Sequence, residues 1–166
     1  MTILRRTNGT IIAEGPGSLR ELVLAQNGAL AGADLSGIDL AGCDLGGCDL
    51  TYCNLSWAEL AGSNLAYCDL TGANLFGCDL SGCVLSWGAL IGANLRGCDL
   101  RKANLSNCDL SGSDLRGCDL RKANLSNCDL SNCDLSDCDF AGAKVNGANT
   151  DWDIGLHVFA RKKVQS

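Results

Sequence analysis

The chain has 166 residues, of which 46% are apolar and 19% are charged, and its formal net charge is −6. This length fits a single domain, and the acidic balance argues against a protein that binds nucleic acid directly. No run of eighteen apolar residues is present, so the sequence predicts no membrane-spanning helix. The first residues also lack the apolar core of a signal peptide, and we expect a cytoplasmic protein.

Residues 1–29 are predicted to form an N-terminal cap with a short strand and a helix. Thr10–Ala13 has the character of a short strand. Ser18 and Glu21 have the spacing of a capping box, in which each residue binds the backbone N–H of the other. An apolar stripe follows and Gly28 supplies a stop, so we predict a short helix that lies across the first coil of the repeat.

Leucine occupies every fifth position from Leu30 to Leu135. A period of five fits neither a helix nor a strand, so the chain must turn a corner every five residues. The residue two before each leucine is small, with Ile38 as the exception, and the residue directly before the leucine is nearly always Asp or Asn. The two residues after it are mostly Gly, Ser, Ala, Arg or Asn. This repeat predicts a solenoid, and solenoids usually act through their surfaces.

The repeat A(D/N)LXX resembles the pentapeptide-repeat family over residues 30–150. The resemblance implies an all-β solenoid, namely a right-handed quadrilateral β-helix with four pentads per coil. The sequence supports this period, because RGCDLRKANLSNCDLS occurs at residues 96–111 and recurs letter for letter at 116–131. About six coils, stacked ~4.8 Å apart, would give a rod roughly 29 Å long.

All twelve cysteines occupy the small position of the repeat, eleven of them two residues before a leucine and Cys138 two residues before Phe140, and Ala and Ser also occur at this position. This position needs a small inward side chain, which predicts buried, reduced thiols. Cys78, Cys98, Cys118 and Cys138 lie twenty residues apart and should form one column. Parallel side chains in a column disfavour disulfides and cannot surround a tetrahedral zinc ion. We therefore predict no metal site, cofactor or redox role.

Charge is the clearest feature of the outward positions. Residues twenty apart align into one unbroken acidic column, here called the acidic face: Asp39, Glu59, Asp79, Asp99, Asp119 and Asp139. No Lys or Arg lies between Arg20 and Arg96, whereas basic residues flank the C-terminal part of the column: Arg101, Lys102, Arg121 and Lys122. The N-terminal half of the rod is therefore predicted to carry acidic residues without basic residues to neutralise them.

Two interpretations of this acidity remain open. The Asp and Asn side chains could form turn hydrogen bonds within the repeat and keep the rod soluble. Alternatively, regularly spaced carboxylates could imitate a phosphate backbone. The family resemblance implies the second interpretation, because some pentapeptide-repeat proteins are DNA mimics that bind bacterial DNA gyrase and reduce quinolone action.

A group of outward aromatic residues interrupts the repeat in the middle coils. The candidate partner surface comprises Trp57, Tyr67, Phe76, Trp87 and Ile91, and Tyr52 extends it. We expect Tyr67 and Trp87 to share one column and Trp57 and Phe76 to lie on the face that precedes it. Clustered exposed aromatics on a rigid rod indicate a protein contact, including self-association. The alternative is that these side chains shield the coil edges or pack on one another.

Residues 151–166 are predicted to form a C-terminal cap and a basic, solvated tail. His157 is the only histidine, so the many serines have no base for a catalytic triad. The chain also lacks a phosphate-binding loop and a dinucleotide fingerprint. We predict a non-enzymatic rod that acts as a protein–protein interaction module, with no catalytic residue and no cofactor. The partner is unknown, and a homodimer and DNA gyrase are the alternatives that remain open.

Overall fold

The computed structural model describes residues 1–150, so the predicted C-terminal cap and His157 lie outside the described residues. The chain begins with a hairpin, in which strand β1 (Thr2–Arg5) pairs antiparallel with strand β2 (Ile11–Gly15). The strand predicted over Thr10–Ala13 overlaps β2, whereas β1 was not predicted. Helix α1 (Leu19–Leu24) follows, and this helix is far too short to cross a membrane.

Helix α1 begins with the predicted capping box. The Oγ of Ser18 accepts the N–H of Glu21 at 3.2 Å, and the Glu21 carboxylate accepts the N–H of Ser18 at 2.8 Å. The helix ends at Leu24, because Ala25 is the C-cap, and so it stops before Gly28. Six residues are too few for a helix that is stable alone, so the burial of Val23 in the core must hold it.

Parallel bridges connect each coil of the repeat to the next. The residue before each leucine pairs with the equivalent residue twenty positions later, as Asp39 does with Glu59 and Glu59 with Asp79. This offset runs from Ala29 to Asn149. Twenty residues contain four pentads, so each coil has four sides and four corners, and the predicted register is confirmed.

All five backbone N–H groups of a complete pentad find an acceptor, as residues 69–73 illustrate. Three of them donate to neighbouring coils and one closes the turn within its own coil: Asp69 to Cys48 O at 3.0 Å, Leu70 to Ala89 O at 2.7 Å, Gly72 to Ile91 O at 2.9 Å and Ala73 to Leu70 O at 2.9 Å. The fifth, from Thr71, donates to Oδ1 of Asp69 at 3.0 Å. The polar residue before leucine is therefore part of the backbone architecture.

The leucine column forms the core of the rod. From Leu30 to Leu130 no leucine of the column is more than 3% exposed, and Leu135 near the end of the described chain is partly buried. The small residues two positions earlier are buried beside them, and they include Ser63 and Ser113. The prediction that the leucines line the axis is therefore confirmed.

All twelve cysteines are free and buried in this core. Most thiols donate to the carbonyl of a leucine in the preceding coil, as Cys53 does to Leu30 and Cys98 to Leu75, both at 2.9 Å. Burial raises the pKa of Cys53 to about 11 and that of Cys68 to about 12. The thiols are small core residues, and burial disfavours the thiolate that nucleophilic or redox chemistry needs.

This burial predicts how the thiols respond to alkylation and alkaline pH. At pH 8 the folded protein should react with iodoacetamide far more slowly than the urea-unfolded chain, as measured by mass spectrometry.

The raised thiol pKa values also predict how stability depends on pH. The free energy of unfolding should be fully retained below the unfolded thiol pKa of ~8.5, and it should fall as the pH rises toward the pKa values of the folded thiols. In the Cys53→Ala/Cys68→Ala variant, part of this alkaline loss should disappear. A native thiol that reacts as fast as the unfolded chain would contradict the buried arrangement.

Candidate interaction surfaces

The corners of the coil impose a special backbone conformation. The second residue after every leucine from Leu30 to Leu135 has a positive φ, between +56° and +71°. Glycine adopts this left-handed region freely and asparagine tolerates it, whereas bulky side chains rarely do so. The chain accordingly places Gly or Asn at most corners, including Gly62 and Asn107.

Four aromatic residues break this preference. Tyr52, Trp57, Tyr67 and Trp87 all occupy corner positions, with φ values of +56° to +63°. A bulky residue in this region is strained by about 1–3 kcal/mol unless its surroundings compensate. These side chains are 57% to 69% exposed, so burial in the core does not supply the compensation. The structure thus exposes large apolar side chains to solvent at positions where glycine would cause less backbone strain.

The aromatic residues do not form a single patch. Tyr67 and Trp87 lie twenty residues apart and share one corner, as predicted. Trp57 and Tyr67 are ten residues apart, which is half of a twenty-residue coil, so they lie at opposite corners. The expectation that Trp57 and Phe76 lie on the face that precedes the Tyr67–Trp87 column is therefore wrong, because two sides of the square separate the corner of Trp57 from the corner of Tyr67.

The corner that carries Trp57 is partly explained by local packing. The rings of Trp57 and Phe76 meet edge to face, with centroids 5.1 Å apart and an interplanar angle of 88°. The Trp57 ring also covers Gly77, where an added Cβ would lie 2.7 Å from it, and Tyr52 covers Gly72 in the same way. At these two corners the aromatic side chains shield the edge of the following coil, as the alternative interpretation expected.

Most of the exposed apolar residues of the repeat lie along the two sides that meet at the opposite corner. We call this surface the apolar side, and it comprises Tyr52, Tyr67, Val84, Trp87 and Ile91. Val84 and Ile91 are 39% and 42% exposed. Within the described repeat, Trp57 is the one large exposed apolar residue that lies outside the apolar side. Val84 and Ala89 also replace the usual Asp or Asn here, which removes charge from the same region.

The acidic face is continuous, but arginines neutralise both of its ends. Arg20 of α1 lies 3.3 Å from Oδ1 of Asp39, and this pairing was not predicted. At the other end Arg101 binds Asp99 and lies 3.7 Å from Asp119, and Arg121 pairs with Asp119 and Asp139. The hydrogen bond from Arg101 lowers the pKa of Asp99 below its usual range. Within residues 1–150, Glu59 and Asp79 are the members of the face without an ion pair.

The acidity itself has a structural cause. Every Asp and Asn directly before a leucine, from Asp34 to Asp134, and also Asp139 before Phe140, uses Oδ1 to accept the N–H two residues later at 2.9–3.3 Å. On one face the amides also stack, since Asn74 donates to Asn54 at 3.1 Å and Asn94 to Asn74 at 2.9 Å. The turn hydrogen bonds of the first interpretation are therefore present throughout the repeat.

The described residues contain no group of three or more His, Cys, Asp or Glu side chains that could hold a metal ion. The outward aspartates use their Oδ1 atoms in turn hydrogen bonds, as Asp69 and Asp79 do. The surfaces therefore offer apolar contact and charge, which are the elements of recognition by another macromolecule.

Comparisons with known proteins agree with this architecture. A family model described as pentapeptide repeats matches eight copies over residues 30–65, 53–87, 78–117 and 118–149, whereas no curated protein sequence matches. A pentapeptide repeat protein from the Arabidopsis thaliana thylakoid lumen is similar in structure, with a TM-score of 0.55 and 26% identity over 77% of each chain. Proteins of this family form right-handed quadrilateral β-helices, which fits the twenty-residue coil.

Two further solved structures resemble the chain less closely in shape. A pentapeptide repeat protein from Nostoc Pcc 7120 is 41% identical over 49% of this chain and 64% of its own, with a TM-score of 0.46. Full-length QnrB1, a plasmid-mediated fluoroquinolone resistance protein, is 26% identical over 78% of this chain and 84% of its own, with a TM-score of 0.38.

The turn hydrogen bond predicts a difference between two substitutions of one aspartate. Asp69→Asn should leave the free energy of unfolding nearly unchanged, because the amide oxygen can still accept the N–H of Thr71. Asp69→Ala should lower it by about 0.5–1.5 kcal/mol, the usual net value of one hydrogen bond. Urea denaturation of both variants measures the difference. Equal stability of the two variants would show that the turn bond contributes nothing.

Proposed function

This chain belongs to the pentapeptide-repeat family, and we propose that it is a non-enzymatic module that presents the apolar side of a rigid rod to a protein partner. One observation carries the proposal: Tyr67 and Trp87 stay exposed at corners whose backbone disfavours them. Strain that packing does not offset is typical of residues kept for recognition. Exposed aromatic side chains are also the groups that most often dominate binding energy in protein interfaces.

The composition of the core supports a cytoplasmic location for this module. Twelve free thiols in a short chain fit a reducing compartment better than an oxidising one. The proposed partner is a protein, and a second copy of the chain is one form that it could take. No step of this role requires a cofactor, because contact area and shape supply the affinity.

The same corner offers a matched test of the apolar side. Asn107 and Asn127 occupy the Tyr67–Trp87 column further along the rod, with φ values of +62° and +60°. The Tyr67→Asn/Trp87→Asn variant should therefore keep or gain up to about 1 kcal/mol of stability, because Asn tolerates this backbone region. It should lose self-association or partner capture. Urea denaturation, sedimentation velocity and quantitative pull-down from native cytosol measure these properties.

Lys122→Asn is the control, because it also places asparagine at a corner with positive φ, but outside the apolar side. This variant should associate like the wild type. A Tyr67→Asn/Trp87→Asn variant that unfolds easily but associates normally would give the aromatics a structural role instead.

A different observation supports a second candidate function, the imitation of DNA toward a topoisomerase such as gyrase. Parallel bridges align the acidic face without a gap from Asp39 to Asp139. The coil spacing of ~4.8 Å is similar in scale to the ~3.4 Å between phosphates along one strand. Glu59 and Asp79, the carboxylates of this face without an arginine partner among residues 1–150, would carry its unneutralised charges.

A supercoiling assay with DNA gyrase separates the two candidates. If the acidic face imitates DNA, the wild type should inhibit at micromolar concentration. The Glu59→Gln/Asp79→Asn variant should then inhibit several-fold less, because it removes charge and retains side-chain shape. The Tyr67→Asn/Trp87→Asn variant should inhibit like the wild type. A wild-type chain that leaves supercoiling unchanged would remove this candidate.

A further inference from the structure

We propose that the N-terminal end of the rod holds a binding site for an arginine side chain of a partner protein. The site is a recess between helix α1 and the pentad of Leu45, and it is separate from the apolar side. Arg20 of this chain already binds oxygen atoms of Asp39 and Ala41, and the equivalent oxygen atoms five residues later form the proposed site.

The first coil leaves carbonyl groups that no earlier coil can satisfy. In later coils, the carbonyls of the residues directly before and after a leucine accept N–H groups from the preceding coil. Asn64 O accepts from Leu45 at 2.8 Å, and Ala66 O accepts from Gly47 at 2.8 Å. The corresponding carbonyls of the first coil face the cap instead, so they need donors from another source.

Arg20 supplies such donors on one side of the square. Its Nη1 donates to the carbonyl of Asp39 at 3.2 Å and lies 3.3 Å from the Asp39 carboxylate. Its Nη2 donates to the carbonyl of Ala41 at 3.1 Å. One guanidinium therefore satisfies two carbonyls and one carboxylate of a single pentad, which matches its planar fork of donors.

The next pentad presents the same three acceptors without a donor. They are the carbonyls of Asp44 and Gly46 and the carboxylate of Asp44. Among residues 1–150 no hydrogen bond reaches either carbonyl. The Asp44 carboxylate uses Oδ1 for the N–H of Gly46 at 3.2 Å and for Asn64 Nδ2 at 2.8 Å, so Oδ2 remains for a cation. The pentad of Leu35 differs in its surroundings, because Asp34 donates its N–H to Arg5 O of the N-terminal hairpin at 2.8 Å and its residues do not line the recess beside α1.

The recess above these acceptors has the size and walls that an arginine side chain requires. It is a half-open recess of about 220 Å³, lined by Val23, Leu24, Asn27, Leu45 and Cys48 in addition to the acceptor residues. The apolar walls suit the methylene stem, while the carbonyls and the carboxylate suit the charged head. The last turn of α1 contains no basic residue, and the C-terminal end of a helix favours a cation. Two separate carbonyls favour a guanidinium over the single ammonium of lysine.

Titration of the ¹⁵N-labelled protein with the peptide Ac-Gly-Arg-Gly-NH₂ tests the site. The amides of residues 44–48 should shift saturably, with a Kd on the order of 1 mM. The lysine peptide should bind roughly tenfold more weakly, because it lacks the second donor group. The neutral citrulline peptide should produce no saturable shift. Asp44→Asn, which retains the turn acceptor and removes the charge, should weaken the arginine peptide roughly tenfold.

The occupied neighbour provides an internal control. In the wild type the amides of residues 39–42 should not respond to the peptide, because Arg20 fills their site. In the Arg20→Met variant these amides should begin to respond. The proposal would be overturned if the amide signals of residues 44–48 in the wild type did not shift with the arginine peptide. It would also be overturned if they shifted equally with the citrulline peptide. The titration does not depend on Tyr67 or Trp87, so its result and the test of the apolar side are independent.

Discussion

One hydrogen bond constrains most of this molecule, namely the bond from the N–H after each leucine to the Asp or Asn side chain before it. Four of the five N–H groups in a pentad reach a carbonyl of the same coil or a neighbouring one. The remaining group sits where the chain bends and has no carbonyl within reach, so a short side-chain acceptor must serve it. The polar columns on the outside of the rod, and much of its net charge, follow from this backbone requirement.

The places where the constraint is broken are concentrated in the middle coils. Val84 and Ala89 have no side-chain oxygen, so the N–H groups of Ser86 and Ile91 lose the usual acceptor. Trp87 occupies a strained corner between these positions. Two unfavourable features thus coincide in one short stretch of chain, and the same stretch contributes exposed apolar area. A region that gives up local stability while it gains contact surface is typical of a binding site.

The sequence predicted the parts of the structure that repeat. The leucine column and the capping box at Ser18 and Glu21 follow from spacing alone, whereas the coil of twenty residues is implied by the family resemblance and supported by the segment that recurs at residues 96–111 and 116–131. The hairpin strand β1 and the pairing of Arg20 with Asp39 occur once, so no period indicated them. The opposite placement of Trp57 and Tyr67 required counting corners around the coil rather than neighbours along the chain. The alternation of Gly and Asn at the corners could have revealed the positive φ at Trp87, because these residue types share that backbone preference.

The equivalence of aspartate and asparagine in the turn has a consequence for how such a rod diverges. Both residues offer the same Oδ1 acceptor, so exchange of one for the other alters the electrostatic potential of a face while the winding of the chain stays the same. Asn54 and Asp34 already occupy equivalent places in one column and differ by a full charge. The sign and density of charge on each wall can therefore change by single substitutions, and related rods can acquire new binding preferences without passing through an unstable intermediate.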